Sequence, residues 1–298
     1  MWPRQRKCPM KMIGLPIALL AVGLTIDRAE ADDAKAKAAL ADSKLWVGIV
    51  VGPTPGPGSV VGPAGPRRSP GTVRDGLHGV EVDLGTSLAN KLGVPVEFLG
   101  HSDSDSLALT AAVSEWTIAF IPVDEENRQY VDFGSAYLTL QATYLVGPGS
   151  AIKRLADVDR PGVRVATAVD EPATARAAIH SLKKAAIAGY ATSDEALELL
   201  KSKKVDAVAL SREAAAALSA RLPGSRVLDG AFWKSYVAIA VPHVKDGSGV
   251  VIPAMQDPAV LPYLNAFIDE AIASGSVRRS LDSAGMQKSI VAPRKTRP

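Results

Sequence analysis

Three short polar clusters carry the side chains able to hold a small molecule. The first, Asp124-Glu125-Glu126-Asn127-Arg128-Gln129, follows an apolar run over 119–123. The second, Asp170-Glu171-Pro172, follows a run over 163–169, and the third, Ser211-Arg212, follows a run over 205–210. Carboxylates accept hydrogen bonds from ammonium and guanidinium groups, Arg pairs with anions, and Asn and Ser orient neutral polar groups. These types suit binding better than bond cleavage. The chain has no G-x-S-x-G, no H-E-x-x-H, and one cysteine, Cys8, so the signatures of serine hydrolases and zinc peptidases are missing. His78, His101, His180 and His243 are widely spaced. His101 with Asp103 and Asp105 has some metal-binding or acid–base character, and a solvated polar loop accounts for it as well. No catalytic residue, metal site or cofactor is therefore assigned.

Each candidate also has a plainer role. Asp124 can serve as N-cap of a turn over 125–129, with or without touching a ligand. Asp170 and Glu171 can complement the dipole of a helix starting at Ala173. Ser211 can be a strand-end residue, and Asn127 and Arg128 can be surface residues.

The elements that position these clusters alternate between strand and helix. Residues 45–51 form a short apolar, β-branched run, which predicts a buried strand. Leu84, Leu88 and Leu92 recur every four residues and Gly93 follows, which predicts a helix and its stop. Strands over 94–99 and 116–123 flank a helix over 106–113. The second half repeats the scheme, with a strand over 163–169 and an Ala-rich helix over 173–188. A capping box of Thr192 and Glu195 opens the next helix, and a strand follows over 205–210. Asp257 and Pro258 predict a helix start, with Val260, Leu264, Phe267, Ile268 and Ala271 on one stripe and Gly275 as the end. The alternation implies an α/β fold with a mainly parallel sheet. "SDSLALTAAVSEWTIAFIP" and "SDEALELLKSKKVDAVALS" echo one another, which suggests two lobes of similar design. Ligands of open α/β sheets bind beyond the carboxyl ends of the strands. That rule selects Gly52, 101–105, 122–128, 170–172 and 211–212.

The ends set the context. Arg4, Arg6, Lys7 and Lys11 precede an apolar run over 12–26 and the Ala29-Glu30-Ala31 triplet. This is the layout of a secretory signal peptide, with cleavage expected after Ala31 and a periplasmic location. Of 34 basic and 31 acidic residues, five and two fall in the first 31, leaving 29 of each. A neutral mature chain argues against a nucleic-acid partner. Residues 52–71 hold six Gly and six Pro, which predicts a long surface loop. The basic tail Arg294-Lys295-Thr296-Arg297 predicts a solvated end.

Three segments carry a family resemblance: "GVEVDLGTSLANKLGVPVEF", "VDFGSAYLTLQATYLVGPGSAIKRLADVDRPGVRVAT" and "SDEALELLKSKKVDAVAL". Together they resemble the family 3 solute-binding proteins of bacterial ABC importers, over about residues 45–291. The resemblance implies a type II, two-lobed periplasmic-binding-protein-like fold, each lobe a mainly parallel sheet flanked by helices, with two hinge strands near 138–146 and 236–241. It divides the chain into a signal peptide (1–31), a linker (32–43), lobe 1 (44–139 with 235–291), lobe 2 (140–234) and a tail (292–298). It implies a monomer that captures a small polar solute, amino-acid-like or another small metabolite, and hands it to a membrane permease. Asp132 and Tyr137 then read as structural.

The clamps of the amino-acid-binding members are altered here. The carboxylate-gripping Arg of those members matches Asn127, with Arg128 one residue late. The Gly-Thr-Thr turn matches Asp170-Glu171-Pro172, and the ammonium-binding Asp matches Ser211. The expected ligand contacts are therefore Asp124, Asn127, Arg128, Asp170, Glu171 and Ser211, around a solute that differs from an ordinary L-α-amino acid. Two alternatives stay open. One is a cyclohexadienyl-dehydratase-like enzyme on the same fold, with a pair such as His101 and Glu171. The other is a periplasmic sensor that reports its bound state to a receptor.

Overall fold

The computed structural model describes residues 30–40, 43–52, 58–61, 71–73, 76–113, 115–242 and 257–298. The signal-peptide reading up to residue 29, Cys8, His243 and most of the Gly/Pro-rich loop lie outside these. Among the described residues, twelve strands form one sheet. Its path runs β3 (Gly71–Val73), β4 (Val96–His101), β1 (Leu45–Gly52), β5 (Ile118–Pro122), β11 (Trp233–Pro242), β6 (Val131–Val146), β9 (Ala207–Ser211), β7 (Arg164–Ala168), β8 (Ala186–Tyr190). β2 (Ser59–Val61) pairs with β1, and β10 (Arg226–Val227) and β12 (Ile290–Val291) pair with β6. The helices are α1 (30–40), α2 (Val80–Leu92), α3 (Ser104–Leu109), α4 (Pro172–Ser181), α5 (Ser193–Lys201), α6 (Arg212–Ala220), α7 (Val260–Ala273) and α8 (Ser276–Ser283).

β1 pairs in parallel with β4 and β5 on one side of the path, and β7 pairs in parallel with β8 and β9 on the other. Between them lie the two long antiparallel strands. The 16-residue β6 pairs with β11 from Val131 to Ala142, then with β9 from Ala142 to Val146. Its first part thus belongs to one lobe and its last part to the other. β11 carries register shifts around Val237, Ala238 and Ala240, and such bulges bend a strand and increase its twist.

Side-chain alternation builds the cores. Along β9, Ala207 and Ala209 enter one apolar cluster with Tyr144 and Val165, while Val208 and Leu210 enter another with Leu197 and Leu200. A strand buried on both faces reads as a continuous apolar run. The first lobe buries Val47, Ile49, Leu84, Leu88 and Phe120 against Leu264 of α7. Leu84 and Leu88 share a face of α2 because four residues make about one helical turn, and Gly93 closes the helix in the left-handed conformation at φ 75°.

Several expectations are corrected. The helix read over 173–188 ends at Ser181, and Ala186–Tyr190 forms strand β8 on β7. Asp159 Oδ1 accepts the backbone N–H groups of Lys183, Lys184 and Ala185 at 2.8, 2.6 and 3.1 Å. Those bonds hold the turn between α4 and β8, and pairing with β7 overrides Ala propensity. Residues 30–40, mostly read as linker, are helical and place Ala36 and Leu40 in the first core. Within the loop read over 52–71, Ser59–Val61 pairs in parallel with β1 and buries Val60 completely. α7 starts at Val260, after a turn in which Asp257 Oδ1 accepts from Ala259 N–H at 2.9 Å. The C-terminal tail is docked. Thr296 C=O accepts from Ala136 N–H at 3.0 Å, and Asp269 of α7 accepts from Lys295 N–H at 2.9 Å and Arg297 Nη2 at 2.8 Å.

Candidate ligand cleft

Asp124 lies two residues beyond β5, at the carboxyl end of a parallel strand. Its Oδ1 accepts Asn127 N–H at 2.8 Å and so caps the 3-10 turn Asn127–Gln129. Its Oδ2 accepts from Nη2 of Arg176, which belongs to α4 in the other lobe. The same guanidinium donates to both oxygens of Asp105 on α3, at 2.6 and 3.1 Å, and lies 3.2 Å from Glu126 Oε2. Three carboxylates from the β4 and β5 ends of one lobe thus close on one cation from the β7 end of the other. The Arg176 and Asp124 side chains are 20% and 11% exposed, so solvent screens this pair less than a surface ion pair. Burial opposes the charge on Arg176, but the bonds from Asp105 and Asp124 outweigh it and push the guanidinium pKa up.

Asn127 is 1% exposed and its Nδ2 has no hydrogen-bond partner among the described residues. A buried amide left in that state costs about 1–3 kcal/mol, so it is a donor in want of an acceptor.

Glu171 and Ser211 form a second joined pair. Ser211 donates its backbone N–H to Glu171 Oε2 at 2.6 Å and its hydroxyl to Oε1 at 2.7 Å. Ser211 is also the N-cap of α6, its Oγ accepting from Ala214 N–H at 3.3 Å. Glu171 as a residue is partly buried, but its carboxyl is enclosed, and burial raises its pKa to about 7 against the lowering effect of the Ser211 bonds. The remaining two predicted residues turn to neighbours in their own lobes. Asp170 accepts from Ser193 N–H at 3.0 Å and Ser193 Oγ at 2.9 Å. Arg128 lies 3.6 Å from Glu125 and stacks over Phe133 at 5.5 Å.

His101 ends β4 as a buried side chain whose Nε2 has no partner among the described residues. Burial lowers its pKa, opposed by Glu115 and Asp103. No group of three or more His, Cys, Asp or Glu suited to a metal ion occurs among the described residues.

Arg176 escaped the sequence reading, although a signal was there. It is a cation in the second turn of the Ala-rich helix at the carboxyl end of β7, near the helix end that disfavours positive charge.

The family model of the bacterial extracellular solute-binding proteins, family 3, matches residues 69–283. The chain belongs to this family. No curated protein matches it. Among solved structures, this family member is similar to a P235GK mutant of ArgBP from T. maritima, at 19% identity and TM-score 0.61 over 84% of this chain and 99% of that one. It is similar to a putative binding component of an ABC transporter from Wolinella succinogenes DSM 1740 complexed with lysine, at 21% identity and TM-score 0.61 over 81% and 95%. It is similar to AncCDT-1, an ancestral amino acid-binding protein described as a precursor of cyclohexadienyl dehydratase, at 22% identity and TM-score 0.59 over 87% and 98%. The fold is the two-lobed, type II periplasmic-binding-protein fold expected from the sequence.

Proposed function

We propose that this family 3 protein captures a small, polar, amino-acid-like solute outside the cytoplasm for the permease of an ABC importer. Lobe 1 (44–139 with 235–291) and lobe 2 (140–234) close on the solute as a monomer in the periplasm, and no chemistry is performed. The observation that supports this reading is the contact of Arg176 with Asp105 and Asp124, which joins the strand ends of the two lobes. The solute-binding family and the lysine complex of the similar Wolinella succinogenes protein agree with it. Asp124, Asn127, Glu171 and Ser211 line this cleft in the proposal; Arg128 and Asp170 support its rim.

A thermal-shift screen of amino acids, polyamines, opines and organic acids tests it. Binding of a small solute raises the melting temperature by mass action, and Asp124→Ala abolishes the shift. A flat response across the whole library counts against solute capture. The enzyme reading has AncCDT-1 in its favour and is tested by following product absorbance from prephenate or arogenate, where turnover replaces the binding-only reading.

A further inference from the structure

We infer that Arg176 is a built-in occupant of the cleft: it holds the lobes together in the unliganded protein, and a cationic solute bearing a guanidinium or ammonium group enters by taking its place on Asp105, Asp124 and Glu126. The ligand class rests on the function proposed above; the latch does not.

Every side-chain bond of Arg176 among the described residues goes to the other lobe, two to Asp105, one to Asp124 and an ion pair to Glu126. Nothing in α4 itself accounts for the residue, since a cation gains nothing in the first half of a helix. The partners come from two separate strand ends, Asp105 after β4 and Asp124 after β5. Planar, two-pronged pairing with carboxylates is what a guanidinium does well. The seat therefore has the chemistry of a guanidinium site, and the chain fills it with its own side chain.

Charge sets the class of solute. Three carboxylates and one guanidinium leave a formal charge of −2, and withdrawal of Arg176 leaves −3 on one lobe. An anion is repelled by that surface in either state, whereas a cation replaces what Arg176 withdraws. Beside the seat, the turn capped by Asp124 holds the buried, unpartnered Nδ2 of Asn127. This donor has no use for a cation, but it suits a carbonyl or carboxylate oxygen on the same solute. An amino-acid-like molecule with a basic side chain carries both groups.

A solute that must displace an internal competitor binds with reduced apparent affinity, in proportion to the fraction of protein whose seat is free. Removing the competitor raises affinity. An ion pair that merely stabilises the fold gives the opposite result, since its loss neither opens the lobes nor helps a solute.

The test uses the full mature chain, Arg176→Ala, and Asp105→Ala as a second variant, because the Asp105 side chain has no bonds among the described residues except those with Arg176. Small-angle X-ray scattering without solute is expected to give a larger radius of gyration for both variants than for wild type. Calorimetry with L-arginine and L-lysine as probes is expected to give a Kd for Arg176→Ala lower on the order of tenfold. Preference for one probe distinguishes guanidinium from ammonium. Variants as compact as wild type overturn the latch. An unchanged or higher Kd in Arg176→Ala overturns the competition. If neither probe binds wild type or Arg176→Ala, the cationic class is overturned and the scattering alone judges the latch; only silence across the whole solute library counts against solute capture itself.

Discussion

The hydroxyl of Tyr137 donates to Oε1 of Glu81 at 2.5 Å, and both residues are buried, 0% and 2% exposed. Glu81 belongs to the Gly79-Val80-Glu81-Val82-Asp83-Leu84 segment and Tyr137 to the Val131–Tyr137 segment, the two stretches most specific to the family resemblance. They are the two ends of one hydrogen bond in the first core. Phe120 packs edge-on to the Tyr137 ring at 5.6 Å, which holds the phenol in place. Tyr137→Phe is expected to destabilise the fold by about 1–3 kcal/mol. The loss is larger at pH 8 than at pH 5, because the ionised Glu81 depends on the donor more than the protonated form does. Urea denaturation at the two pH values measures it.

The same carboxyl makes stability depend on pH. Burial raises the Glu81 pKa from 4.5 to about 7. The folded state therefore holds its proton more tightly than the unfolded state between these values. Stability is highest on this account below about pH 4.5, falls as pH rises through about 7, and is level beyond, a loss on the order of 3 kcal/mol. Glu171 acts in the same direction. At the acid end, backbone hydrogen bonds hold the Asp157 and Asp159 carboxyls below the usual range, and their contribution is lost as pH falls through that depressed range. Melting temperature is expected to peak in mild acid, and Glu81→Gln is expected to flatten the decline between pH 4.5 and 7.

Gly134 sits where the family segment passes under α7. A Cβ there meets Asn265 Oδ1 and Ile239 Cγ2, each at 2.9 Å. Asn265 Oδ1 cannot simply turn away, because it accepts from Ser135 N–H at 2.6 Å and Ser135 Oγ at 3.0 Å. Gly134→Ala is expected to cost about 1–3 kcal/mol by overpacking, with unfolding midpoint as the readout and unchanged circular dichroism as the control for fold.

The docked tail yields a further prediction. Deleting residues 293–298 removes the acceptor for Ala136 N–H and leaves the Asp269 carboxylate, which is 12% exposed, without Lys295 N–H and Arg297. Truncation is expected to lower the melting temperature measurably. Arg297→Ala alone is expected to do little, because that side chain is 38% exposed and pairs of such exposure are worth about 0–1 kcal/mol.

The strand ends that carry the candidate residues were legible in the sequence. Asp124 was placed beyond β5 from an apolar run that stops at a polar cluster, and its capping of the turn at Asn127 followed from Asx chemistry. Glu171 and Ser211 were found as strand-end residues, but their mutual bond was not, since 40 residues separate them and only the adjacency of β7 and β9 brings them together. Arg128, one residue past Asn127, lies over the Phe133 ring, a contact that counting along the chain does not reveal.

The sequence by itself determined the family, the strand–helix alternation and the apolar stripes of α2 and α7, because these follow from periodicity and from segments a few residues long. Tertiary structure decided the rest. Ala186–Tyr190 became a strand because β7 offered an unpaired edge, and the tail became ordered because Asp269 and Ala136 had groups to satisfy. Arg176 looked like one more helix cation. It met Asp105 and Asp124 only because folding set α4 opposite them, and a charged residue on a helix does not name its distant partner.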